Sequence, residues 1–91
     1  MINIVEVDKN NFEVRINSKE KTFHKVYFSD NFFKNYNKKF KSKKSIIYES
    51  FKFLLEREQN TSILKNFNIK VIKDYFPDYE IFFKRENYDF K

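Results

Sequence analysis

The stretch Thr22-Phe23-His24-Lys25-Val26-Tyr27-Phe28-Ser29-Asp30 is where the pattern of this chain changes period. Up to Phe28 the residues alternate. Thr22, His24, Val26 and Phe28 fall on one side of an extended backbone, and Phe23, Lys25 and Tyr27 on the other, the two-residue period of a strand. Ser29-Asp30 then supplies short side-chain oxygens that accept from the free N–H groups of a helix start. Phe32, Phe33, Tyr36 and Phe40 follow at helical spacing, with Lys34, Lys38 and Lys41 on the opposite side. The switch predicts strands before it and helices after it.

Working back from the switch, Asn17 to Lys21 is a polar turn, and Phe12, Val14 and Ile16 alternate with Glu13 and Arg15 as a half-buried strand. Asp8-Lys9-Asn10-Asn11 is a second turn, because Asn and Asp tolerate left-handed backbone. Residues 2–7 alternate loosely. The expectation is an antiparallel meander with strands at 2–7, 11–17 and 22–28.

Working forward, a helix is expected over 30–41. Ser42 caps a second helix over 43–58 with Ile47, Tyr48, Phe51, Leu54 and Leu55 on its main apolar face. Ile46 and Phe53 lie on nearly the reverse side. A helix apolar on two sides touches two layers, so this pair is the candidate interface, facing either the C-terminal segment or another subunit. Short helices are expected at 62–67 and 69–76, ended by the single proline, Pro77, and a last one at 78–86. The fold class is therefore α+β. One domain spans residues 1–91, a three-stranded antiparallel meander followed by three to four helices on one face of the sheet.

Composition narrows the chemistry. The chain has 91 residues, no Cys and no Gly. Disulfides, thiolate catalysis, Cys-ligated metals, Gly-rich phosphate loops and the Rossmann fingerprint are excluded. No apolar run approaches the roughly 18 residues of a membrane span. The start of the chain lacks the basic and apolar regions of a signal peptide. The expectation is a cytoplasmic protein with no membrane partner. His24 is the lone histidine and has no acidic neighbour in register, so a hydrogen-bonded structural role is expected. Asp74, Asp78 and Glu80 read as capping and solubilising acids across the break at Pro77. Asn60-Thr61-Ser62 matches a glycosylation sequon, but a helix boundary explains it. No catalytic residue, metal ligand or cofactor site is predicted, and the chain reads as a non-enzyme.

Charge is the informative feature. Lys outnumbers Arg 16 to 3, and Ala and Gly are absent, the signature of an AT-rich coding sequence. Codon supply explains abundant Lys but not clustering. Lys34, Lys38, Lys39, Lys41, Lys43 and Lys44 occupy an eleven-residue window with no acid, and that window carries the whole net charge of +6. Clustered Lys neutralises phosphates and releases counterions, which points to nucleic acid or another polyanion as partner. Lys43 and Lys44 also sit in the first turn after Ser42, where the helix dipole disfavours cations; a bound anion would relieve that conflict. The expected function is a small basic binding or regulatory module. The alternative is a protein–protein adaptor, or a subunit of a homo-oligomer, acting through helix 43–58 and its residues Ile46 and Phe53.

Two resemblances accompany these readings. The order of strand 22–28, Ser29-Asp30, helix, basic loop and a helix ending at Glu58 resembles the ribbon-helix-helix repressors. That resemblance implies a DNA-reading face made of Phe23, Lys25 and Tyr27. The runs Thr22 to Asp30, Ser50 to Leu64 and Tyr75-Phe76-Pro77-Asp78-Tyr79-Glu80 are similar to a set of short uncharacterised bacterial proteins. This second resemblance covers nearly the whole chain and implies a single small α+β domain.

Overall fold

The computed structural model describes residues 1–86. Strands β1 (Ile2–Asp8), β2 (Asn11–Asn17) and β3 (Lys21–Tyr27) form the antiparallel meander. The β1–β2 turn is made by the Asp8 carboxylate, whose Oδ1 accepts from the backbone N–H groups of Asn10 and Asn11 at 2.9 Å each. A fourth strand, β4 (Asn66–Asn68), adds to the sheet parallel to β3, giving the order β1-β2-β3-β4. Over Lys25–Tyr27 β3 is thus hydrogen-bonded on both edges within the chain.

The helices are α1 (Asp30–Phe33), α2 (Lys43–Leu55), α3 (Ile72–Tyr75) and α4 (Tyr79–Phe83), so the fold is α+β. Ser29 caps α1 by accepting from Phe32 N, and Ser42 caps α2 through a reciprocal capping box with Ser45. Most expected helices are shorter than their apolar spacing implied. The helix expected over 30–41 is a single turn, because the backbone beyond it is bonded elsewhere. Asn37 N donates to Phe83 O at 2.9 Å and Arg85 N donates to Asn35 O at 2.7 Å, which ties residues 35–37 to the C-terminal segment as an antiparallel bridge. The helix expected over 43–58 ends at Leu55. The helix expected over 62–67 does not form: a 3-10 turn at Asn60–Ser62 leads into β4, whose approach is secured by Lys25 N donating to Lys65 O at 2.8 Å. The stretch 69–76 splits into a 3-10 turn, Ile69–Val71, and the one-turn α3, and the last helix covers Tyr79–Phe83 rather than 78–86.

The core has three layers, with α2 in the middle. Phe12, Val14, Ile16, Thr22, His24, Val26 and Phe28 point inward from the sheet and are buried. Phe51 of α2 meets that face through His24 and Phe67, with ring centroids at 5.5 and 6.0 Å. Full burial of a Phe of this kind contributes up to about 3 kcal/mol. On the reverse side of α2, Phe53 packs edge-on against Phe76, Tyr79, Phe82 and Phe83. Arg57 clamps this second layer. Its guanidinium lies 3.5 Å from the Phe53 ring centroid and donates to Phe53 O at 2.9 Å and to Asp78 Oδ2 at 2.7 Å.

Candidate nucleic-acid interface

The segment between α1 and α2 is an anchored basic loop. Two aromatic residues hold it down. Tyr36 is buried against Phe28, Phe32 and Phe83, and Phe40 stacks on Phe83 with centroids 5.3 Å apart. The lysines around these anchors are left in water, while Asn35 is buried. Lys34, Lys38, Lys39, Lys41 and Lys44 are all exposed. None of these five makes an ion pair among the described residues. Lys39 lies over the Phe40 ring at 5.3 Å. Lys39 and Lys41 line an open groove shared with Phe40, Phe82, Glu49 and Glu56, so that flank of the loop also meets acid. Lys34, Lys38 and Lys44 do not line it.

Lys43 departs from the set. Its side chain is largely buried and its Nζ is bound to the chain itself, donating to Lys9 O at 2.8 Å, Phe28 O at 2.8 Å and Asn10 Oδ1 at 3.1 Å. Asp30 Oδ1 lies 2.6 Å away, and the hydrogen bond and charge of Lys43 hold the Asp30 carboxyl below its ordinary pKa. The anion that offsets this cation at the start of α2 is therefore the chain's own Asp30, and Lys43 is a structural residue.

Ile46 and Phe53, the candidate interface pair, are buried, Ile46 completely. The second layer behind α2 is the C-terminal segment, which covers Phe53 with Phe76, Tyr79, Phe82 and Phe83, so neither residue is presented at the surface.

Of the remaining polar candidates, His24, Asn60 and Asp78 are tied into the fold, while Asp74 is exposed. His24 Nδ1 donates to Leu64 O at 2.7 Å, and Nε2 accepts from Thr22 Oγ1 at 2.9 Å, with Asn60 Nδ2 donating to the same hydroxyl. Burial lowers the His24 pKa, outweighing the Leu64 hydrogen bond. Asn60 of the sequon is buried and also donates to Glu20 O, so it holds the β2–β3 turn. Asp78 is engaged by Arg57. Among the described residues no group of three or more His, Cys, Asp or Glu side chains is placed to hold a metal ion, and no helix is long and apolar enough to cross a membrane.

Two arrangements escaped the sequence reading. A chain of buried hydroxyls links Tyr36 OH to Tyr79 OH at 2.8 Å and Tyr79 OH to Ser50 Oγ at 2.7 Å. A small apolar cavity of about 130 Å³ lies beside α2 and β4, lined by Leu54, Phe67, Ile72 and Phe76, with Glu58 as its one acid. Each joins residues far apart in the chain, so no local spacing signals it. Comparison with family models, curated proteins and solved structures returns no match for this chain.

Proposed function

We propose that this protein is a small cytoplasmic, non-catalytic module that binds a polyanion, nucleic acid first among them, through the lysines of loop 34–44. The observation that carries this is the set of five exposed lysines, Lys34, Lys38, Lys39, Lys41 and Lys44, without an ion pair among the described residues, on a loop anchored by Tyr36 and Phe40. Such surface cations attract phosphate without first breaking an internal ion pair, and each phosphate they neutralise releases a condensed counterion. The anchors give the charges a defined backbone, which lowers the ordering cost of binding.

The test is binding to a labelled duplex of about 20 base pairs as salt rises from about 50 to 200 mM, read by fluorescence anisotropy. Affinity should fall steeply with salt. Replacing the five lysines together by Gln should flatten the log–log slope by up to about 4.5, at about 0.9 for each phosphate no longer neutralised. Lys43 is left in place because it is structural. No binding at about 50 mM salt, or an unchanged slope in the variant, overturns the reading.

A further inference from the structure

The sheet has one covered face and one open face. The helices pack on the face of Phe12, Val14, His24 and Val26, while the other presents Phe23 and Tyr27 from β3, 51% and 41% exposed. The solvated face of an antiparallel sheet is ordinarily polar. Two large rings there are an exception that carries a cost in water. Their setting is also specific. β3 is an inner strand, paired with β2 along its length and with β4 over Lys25–Tyr27, so Tyr27 stands on backbone held from both sides and Phe23 on backbone held by β2. Phe23 and Tyr27 are four residues apart, roughly 13 Å along a strand, and Lys25 stands on the same face between them. Arg15 faces Phe23 across the β2–β3 pair, and Asn68 flanks Tyr27 from β4. The acid opposite Lys25 is Glu13, and its carboxylate is taken by Arg15 Nε at 2.7 Å. Lys21 and Lys25 make no ion pair among the described residues.

We propose that this open face binds single-stranded nucleic acid, with bases stacked on Phe23 and Tyr27 and phosphates held by Lys21 and Lys25. Every base has a π-face, so spaced rings on a rigid sheet accept unpaired bases of any sequence, and cations between the rings meet the backbone that joins them. A duplex keeps its bases in its own stack and offers these rings nothing. A protein partner is a poorer match, because interface centres are depleted in Lys and here Lys25 separates the two rings. The site is distinct from loop 34–44, and the two proposals fail separately.

The experiment uses the full chain and one labelled mixed-sequence oligonucleotide, free and annealed to its complement. The variants are Phe23→Thr, Tyr27→Thr and the double, with Thr chosen for its strand propensity. Each single variant should weaken single-strand binding by at least about fivefold, the lower end of what a base–aromatic stack contributes, and leave duplex binding unchanged. Tyr27→Phe keeps a ring and should retain full single-strand affinity. The five-lysine Gln variant of the loop should lose duplex affinity while keeping the dependence on the rings. Single-strand affinity that changes by less than about twofold in the double Thr variant overturns the proposal. So does wild-type self-association that the double variant abolishes, since that outcome makes the face an interface between copies. If a Thr variant unfolds, Lys25→Gln supplies the same test: it should weaken single-strand binding and lower the salt slope by about 0.7, and an unchanged slope counts against the site.

Discussion

Lys43 Nζ lies 2.6 Å from Asp30 Oδ1, so the start of α2 is pinned to the start of α1 by an ion pair whose cation also bonds the β1–β2 turn. One lysine of the basic window therefore joins three elements. Gln at this position cannot reach the same acceptors, and Phe28 O and Lys9 O are left without that donor. Lys43→Gln should destabilise the fold by about 1–3 kcal/mol, the cost of leaving the part-buried Phe28 carbonyl without its donor and of losing the ion pair to Asp30. Lys41→Gln and Lys44→Gln should fall within about 0.5 kcal/mol of wild type. Urea denaturation midpoints make the comparison, and equal midpoints for all three variants would contradict the structural role of Lys43.

The His24 network carries a pH signature. Burial holds the folded-state pKa of His24 below its ordinary value of 6.5, so below about pH 6.5 the unfolded chain takes up a proton that the folded chain does not. Stability is complete above pH 6.5 and declines as pH falls from there toward the lower folded-state value. The slope in that window reaches at most about 1.4 kcal/mol per pH unit. Chemical denaturation across that range should show the decline in wild type and lack this component in His24→Gln. A profile unchanged by the substitution would mean His24 does not titrate differently in the two states.

The buried hydroxyl chain acts at the other end of the pH scale. Desolvation raises Tyr36 well above the ordinary phenol value of 10.0 and raises Tyr79 strongly as well. A raised phenol pKa means stability that is complete below about pH 10 and declines as pH rises beyond it, because the unfolded chain releases protons that the folded chain keeps. In a spectrophotometric titration, two of the six tyrosines should ionise only as the protein unfolds in alkali. All six titrating together near pH 10, with the fold retained, would contradict the burial of this pair.

The sequence by itself determined the elements whose signals are local. The alternation through Phe12–Ile16 and Thr22–Phe28 assigns each residue to the covered or the open face, because successive strand residues must point opposite ways, and the structure keeps that assignment. Ser29 and Ser42 cap helices as their chemistry requires. The two apolar sides of α2 correctly implied two layers. Only the tertiary structure decided what those layers are and where regular structure stops. Helical spacing continues past Phe33, yet the backbone at 35–37 is bonded to residues 83–85, a partner no local window contains. Strand β4 is three residues long, too short for a period, and exists because the edge of β3 can pair with it. Six lysines look alike in sequence; Asp30 and three oxygens from the β1–β2 turn and Phe28 withdraw Lys43 from solvent, while the anchored loop leaves five others in it. Periodicity records which way a residue faces, but burial depends on what the rest of the chain brings against that face.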